Sequence, residues 1–145
     1  FNNEAFGIPT TLPWKLFIPL NSRPLIFLEE EYFHPTFLYE SLWNVFIFCT
    51  LIFLFRFGLK NKLIVPHGTV SFIYLMMYSF GRFIIEHLRI DPLCINAAPP
   101  FCEGGIRVAQ LMSIILFCLG LTGLVFIYKK RKRILLNQSK NNPRV

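Results

Sequence analysis

Arg82 and Glu86 are the two ionisable residues whose position most favours chemistry. They lie four residues apart in segment 71–86, whose other side chains are mostly apolar. A charge at membrane depth costs about 2.5–3.5 kcal/mol by insertion scales, so it normally faces a bundle interior or a wet cavity. The spacing places both on one helix face. A functional path is therefore one interpretation of the pair, and a purely structural ion pair that locks helix packing is the alternative.

The composition is that of a membrane protein. Of the 145 residues 54% are hydrophobic and 16% are charged, against about 25% charged residues in a typical soluble chain. No secretory signal is visible and residue 1 is Phe, so we expect a fragment or a processed chain.

Three apolar runs are long enough to cross a bilayer, which takes about 20 helical residues. They cover residues 37–57, 64–85 and 107–128. Backbone polar groups in lipid must be satisfied internally, so we expect three helices, the second with Pro66 in its first turn. The predicted fold class is an all-α integral membrane protein.

Basic residues predict the orientation. Five of them, at 129–133, follow the third run directly, and Arg56, Lys60 and Lys62 follow the first. Such clusters stay in the cytoplasm. The opposite ends of the runs, where Arg82 and Glu86 lie, therefore face outward, and the chemistry is expected on that outer side. The tail is an orientation signal and an anionic-lipid contact, with no sign of nucleic-acid recognition. The expected domains are an outward segment, a three-span membrane domain and a basic cytoplasmic tail, at 1–36, 37–128 and 129–145.

The outward half also gathers His34, Tyr39, Glu40 and Arg89. Each has a plainer interpretation. Arg89 can snorkel to the lipid headgroups. His34 and Glu40 can form a polar turn where the chain enters the membrane, since Pro and acidic residues favour helix starts.

The cysteines divide by environment. Cys49 and Cys118 lie in apolar runs and are expected to be packing residues. Cys94 and Cys102 lie in one outward loop, where an oxidising compartment could pair them. The sequence contains no metal-ligand spacing, phosphate loop or serine-nucleophile motif.

Three motifs occur in order along the chain. They are His-Pro-Thr-Phe-Leu-Tyr-Glu at 34–40, Gly-Arg-Phe-Ile-Ile-Glu-His-Leu-Arg at 81–89 and Arg-Val-Ala-Gln-Leu at 107–111. Together they closely resemble the prolipoprotein diacylglyceryl transferase family. The start, at 1–7, is similar to the back half of that family's signature.

The resemblance implies a multi-pass enzyme of the bacterial inner (plasma) membrane. It would have seven spans, of which this chain supplies the last three. Such enzymes move the diacylglyceryl group of phosphatidylglycerol onto the lipobox cysteine thiol of prolipoprotein signal peptides, forming a thioether and releasing glycerol phosphate. The implied partners are phosphatidylglycerol, prolipoprotein signal peptides and the lipid bilayer. No metal or organic cofactor is implied.

Site roles also follow from the resemblance. Arg82 would be the essential arginine of this span, and Glu86 would orient Arg82 or the glycerol headgroup. The residues implied to bind substrate or shape the outer cavity are Glu4, Gly7, His34, Tyr39, Glu40 and Arg89. His34 is not assigned as general base, because the family histidine discussed for that role lies on an earlier span.

The front half of the signature, with a second arginine and an asparagine, does not occur in this sequence. We therefore expect the chain alone to be inactive. Two other classes stay open, a non-enzymatic membrane scaffold and a protein that binds anionic lipid without turnover. Arg82→Lys separates enzyme from scaffold, because a point charge does not replace a bidentate fork.

Overall fold

Three long helices dominate the fold. The computed structural model describes residues 6–60, 65–97 and 101–141. The helices are α1 (Thr36–Lys60), α2 (Thr69–Leu88) and α3 (Val108–Asn141). Because α2 packs against both α1 and α3, it is the middle helix.

Neighbouring helices run antiparallel. The contacts that fix these directions are Trp43 with Met77 and Gly58 with Val65 beside α2, then Gln110 with His87 and Ile127 with Gly68 along α3. The beginning of α1, the end of α2 and the beginning of α3 therefore lie at the same end of the bundle.

Two helices, α1 and α3, are long and apolar enough to cross a membrane by length and composition. Many of their large apolar side chains are exposed, as on helices that face lipid or further helices. α2 does not qualify, since Arg82 and Glu86 lower its mean hydropathy. The described residues thus contain two candidate spans, where the sequence predicted three.

The start of α2 corrects the sequence prediction. Pro66 precedes the helix instead of lying in its first turn, and its carbonyl accepts a 3.2 Å hydrogen bond from Thr69 N. Gly68, immediately before the helix, has φ +88°, a left-handed conformation that glycine adopts without strain. The predicted start, Ile64, lies outside the described residues.

The end of α3 also differs from the prediction. The helix continues beyond residue 128 and through the basic cluster to Asn141. Lys and Arg are good helix formers, so the helix does not stop where the apolar pattern stops. The predicted tail is therefore helical as far as residue 141.

Small residues set the close approach of α2 and α3. A Cβ added at Gly120 would lie 2.6 Å from Cγ of Met76, and one at Gly123 would lie 2.2 Å from the ring of Phe72. Glycine at such points lets two helix backbones approach closely, which is a common basis of packing in membranes.

The segment before α1 folds into a cap over the bundle end. Strand β1 (Leu16–Phe17) pairs antiparallel with β2 (Tyr32–Phe33), and two 3₁₀ helices, Leu20–Ser22 and Leu25–Phe27, connect them. The buried core of this cap consists of Phe6, Ile18, Phe33 and Ile90. Because Ile90 follows α2, the core ties the cap to the end of that helix.

A second hairpin connects α2 to α3. Strand β3 (Cys94–Ile95) pairs antiparallel with β4 (Ile106–Arg107), and a Cys94–Cys102 disulfide closes the loop. The all-α prediction thus misses four two-residue strands, which are too short to leave a periodic pattern. Cys49 and Cys118, predicted to pack, are instead free and exposed on the outer surfaces of α1 and α3.

Candidate functional site

The centre of the candidate site is a group of three charged side chains. Nη1 of Arg82 donates a hydrogen bond to Oε1 of Glu40 on α1. Nη2 of Arg82 lies 3.0 Å from Oε2 of Glu86, one turn later on α2. Oε2 of Glu86 has no partner in hydrogen-bond geometry among the described residues, so this second contact is an ion pair without a directed bond. Arg82 is thus held between two carboxylates.

Gly81 and Trp43 bring α1 and α2 together beside these charges. A Cβ at Gly81 would lie 2.0 Å from Nε1 of Trp43, a distance that no side chain tolerates. That indole nitrogen donates to the Met77 carbonyl at 2.9 Å. This contact fixes the position of α1 along α2, so that Glu40 lies opposite Arg82.

Burial distinguishes the two carboxylates. The side chain of Glu86 is 3% exposed, against 38% for Glu40 and 27% for Arg82. Burying a carboxylate costs free energy unless a cation lies beside it. Arg82 therefore stabilises the buried Glu86, and Glu86 in turn holds Arg82 in position.

The exposed part of Arg82 adjoins a small cavity of about 70 Å³. Its lining consists of Glu40, Trp43, Asn44, Tyr78, Arg82 and Ile85. Larger grooves of about 240 and 440 Å³ lie at the opposite end of α1, but their lining includes no carboxylate. We therefore place the site at the smaller cavity, where opposite charges converge. Within 6–60, 65–97 and 101–141, no group of three His, Cys, Asp or Glu could hold a metal ion.

A chain of three aromatic side chains lies where α1 begins. Nε1 of Trp14 donates to the hydroxyl of Tyr39 at 2.9 Å, and that oxygen lies 2.9 Å from Nδ1 of His34. The tautomer of His34 sets which of Nδ1 and the Tyr39 hydroxyl donates in this second contact. Burial lowers the pKa of His34, which favours the neutral imidazole.

Arg89 is placed differently from a free phosphate ligand. Its Nε and Nη2 donate to the two carboxylate oxygens of Asp91 at 3.1 and 3.0 Å. Hydrogen bonding to Asp91 raises the pKa of Arg89, so the guanidinium stays charged. The side chain is 19% exposed, and a phosphate would have to compete with Asp91 for this fork.

Gly7 joins the two helix ends that carry the site. Its N–H donates to the His34 carbonyl at 2.8 Å, while the next N–H, of Ile8, donates to the Leu88 carbonyl at 2.9 Å. A Cβ at Gly7 would lie 2.7 Å from that Leu88 oxygen, so the close approach requires glycine. Glu4 lies outside the described residues.

Five further residues reach the site that the sequence analysis assigned no role. The cavity lining includes Trp43, Asn44, Tyr78 and Ile85. They lie three or four positions from Glu40 or Arg82, so helical spacing alone pointed to them. The fifth, Arg107, donates from Nη1 to the backbone carbonyl of Glu86 at 2.6 Å, a contact that no local pattern indicates.

The arrangement suits recognition of an anionic group. Arg82 has five N–H donors, and the two contacts with carboxylates engage only part of them. The carboxylates keep the guanidinium in one orientation at the cavity wall. An anion bound there would be recognised through directed N–H bonds from Arg82, because the two carboxylates offset the charge of the guanidinium.

Comparison with known proteins gives consistent matches. A family model described as prolipoprotein diacylglyceryl transferase matches residues 1–126. A relative from Prochlorococcus marinus strain MIT 9211, named phosphatidylglycerol–prolipoprotein diacylglyceryl transferase, is 60% identical over 134 residues, which are 92% of this chain and 44% of the relative. One of the same name from Prochlorococcus marinus strain MIT 9301 is 57% identical over 98% of this chain and 46% of its own length.

A third relative of that name, from Synechococcus sp. strain CC9902, is 60% identical over 91% of this chain and 47% of its own length. The chain therefore spans about half the length of the curated relatives it matches. No solved structure matches it.

Proposed function

The chain belongs to the prolipoprotein diacylglyceryl transferase family, and we propose that it supplies part of the active site for diacylglyceryl transfer. The donor is phosphatidylglycerol and the acceptor is the lipobox cysteine of a prolipoprotein signal peptide. One observation carries the proposal: Arg82, held between Glu40 and Glu86, adjoins a cavity at the end of the bundle where the three motifs meet.

The reaction explains why an oriented guanidinium is useful. The cysteine thiol loses its proton, and the thiolate attacks the glyceryl carbon that bears the phosphate. A carbon–sulfur bond forms as the carbon–oxygen bond to phosphate breaks, and the electron pair stays with the leaving glycerol phosphate. Arg82 stabilises the negative charge that develops on the phosphoryl oxygens.

The two carboxylates have the complementary task. Glu86 is buried with Oε2 3.0 Å from Nη2 of Arg82, so it holds the guanidinium in position. Glu40 fixes it from α1. We therefore assign both to orientation of Arg82 and not to proton transfer.

The other site residues surround the cavity at greater distance. His34 and Tyr39 shape its outer side at the start of α1, and Gly7 closes the junction with α2. Arg89 is a second phosphate contact. When the substrate binds, its guanidinium releases the carboxylate of Asp91 and donates to the phosphate instead. Glu4 would approach the headgroup from the preceding segment.

We further propose that α2 crosses the bacterial inner membrane with α1 and α3, as the last three of seven spans. Its 20 residues rise about 30 Å, enough for the hydrocarbon core. Its charged residues lie at one end and face α1, where lipid does not contact them. The basic cluster after residue 128 supports a cytoplasmic C-terminus.

Complementation tests the proposed function. The chain is fused to the front half of a related transferase and expressed in cells depleted of their own enzyme. Rescue that vanishes with Arg82→Ala, at equal membrane levels, supports both the transfer activity and the role of Arg82. Failure of the well-inserted fusion in two different donor halves would count against the activity, and rescue by both versions would make Arg82 a structural residue.

A further inference from the structure

Arg107 binds the end of α2 from outside that helix. Its Nη1 donates to the Glu86 carbonyl at 2.6 Å, while the N–H of Arg89 reaches the same oxygen at 3.4 Å. The last carbonyls of a helix lack partners within the helix, and positive charge is favourable at that end. Arg107 supplies both a donor and a charge at the residue whose carboxylate contacts Arg82.

The backbone of Arg107 is fixed by the hairpin between α2 and α3. In the β3–β4 pair Arg107 stands directly opposite Cys94, which is bonded to Cys102. Immediately after Arg107, the N–H of Val108 donates to the Leu93 carbonyl at 2.9 Å. Strand pairing, the disulfide and this last hydrogen bond therefore hold Arg107 in one place relative to α2.

We propose that Arg107, held by this disulfide-closed hairpin, is a positioning residue for the Arg82–Glu86 pair. The carboxylate of Glu86 is almost fully buried, so it has little freedom to re-form its contact with Arg82 if the helix end shifts. Fixing the carbonyl of Glu86 fixes the last turn of α2, from which the Glu86 side chain reaches Arg82 one turn earlier. The inference rests on the proposed function only in taking Arg82 as the phosphate-binding group.

The test observes Arg82 itself and requires no turnover. The full 145-residue chain, labelled with ¹⁵N-arginine in detergent micelles, gives the rate at which the guanidinium protons of Arg82 exchange with solvent. Arg23 provides an internal reference, because it donates to the carbonyls of Ile18 and Leu28 at 2.8 and 3.0 Å within the cap.

Arg107→Met keeps an unbranched apolar stem and removes the donors. We expect Arg82 to exchange about tenfold faster, as for the loss of one charge-assisted hydrogen bond, with Arg23 unchanged. Arg107→Lys keeps a charge and a donor and should restore part of the protection. Cys94→Ser combined with Cys102→Ser should resemble Arg107→Met, whereas the matched control, Cys49→Ser with Cys118→Ser, should equal the parent chain.

Unchanged Arg82 exchange in both Arg107→Met and the Cys94/Cys102 variant would overturn the proposal. If Arg107→Met also loses the protection of Arg23, that variant is misfolded, and the Cys94/Cys102 variant and Arg107→Lys decide by the same criterion. Loss of rescue in the complementation experiment leaves this result unaffected, so the two proposals can fail separately.

Discussion

The two sides of α2 differ in what they contain. Towards α1, the contact includes a paired arginine, two carboxylates and a small cavity. Towards α3, the contact is more extensive and is centred on Gly120 and Gly123 against Met76 and Phe72, with Gln110 near His87 at its end. The hydroxyls of Ser79 and Ser113 near this seam donate to their own helix backbones. One helix thus uses one side for packing and the other for charged groups.

This difference teaches that stability and activity should be separable by side. Substitutions facing α1 should reduce transfer while the helices stay assembled. Substitutions facing α3 should loosen the assembly first and reduce activity only through the folded fraction. Each of the following changes tests that division.

Arg82→Lys should have the largest effect. We expect a loss of about 100-fold or more in transfer by the fusion protein, because an ammonium cannot reproduce the forked contact with a phosphoryl group. Membrane level should remain unchanged. Release of glycerol phosphate from phosphatidylglycerol is the measurement, with Arg56→Lys on the exposed surface of α1 as the control. Normal activity combined with poor expression would favour the scaffold interpretation.

Glu86→Gln should have the next largest effect and should exceed that of Glu40→Gln. Breaking the ion pair of the buried Glu86 should cost about 3 kcal/mol, against about 1 kcal/mol or less for the half-exposed Glu40. Parallel activity assays and thermal unfolding of both variants give the comparison. Equal losses would show that burial does not set the importance of the two carboxylates.

Gly120→Val tests the opposite side of α2. Its Cβ would contact Met76 and lie 3.0 Å from the Phe72 carbonyl oxygen, so the helices must separate. We expect the free energy of unfolding to fall by about 1–3 kcal/mol. Thermal unfolding in detergent measures it, with Leu121→Val, at an exposed α3 position, as the β-branched control. A fall in activity per folded molecule as large as that of Glu86→Gln would contradict the division between the sides.

His34→Gln should have the smallest effect, visible only in the pH dependence. Because burial lowers the pKa of His34, the folded state stays neutral while the unfolded chain takes up a proton below its value of about 6.5. Stability that is present above that pH is therefore lost as the pH falls through the window between the two values. The melting temperature of the parent chain should drop more than that of the variant between about pH 7.5 and pH 5.5. Parallel curves would indicate that His34 does not titrate in this window.

Much of the helical organisation was predictable from the sequence. Apolar runs indicated all three helices, and the spacing of four indicated that Arg82 and Glu86 share a face. The contact of Glu40 with Arg82 was not predictable, because it depends on how α1 and α2 are aligned by Gly81 and Trp43. The start of α2 was misjudged because a Pro in an apolar run suits a first turn, whereas the left-handed conformation of Gly68 leaves no sequence signal other than glycine itself.

The contact of Arg107 with α2 shows a further limit of the sequence. It requires a tertiary return of the chain over 21 positions, through a hairpin of two-residue strands. The pairing of Cys94 with Cys102 was left open by their spacing, although both lie in that loop. Local patterns identify elements and faces, but not which donor closes the end of another helix.

The 34 residues of α3 have a consequence for how the tail meets the membrane. They rise about 51 Å, about 20 Å more than the hydrocarbon core of a bilayer. The additional residues continue the same helix, so they form a rigid extension of it. Only charges within a Debye length of about 8 Å attract anionic lipid strongly at physiological salt. In the proposed topology, the first turns of the basic cluster lie within the field of the headgroups, while the residues near 138 stand beyond it.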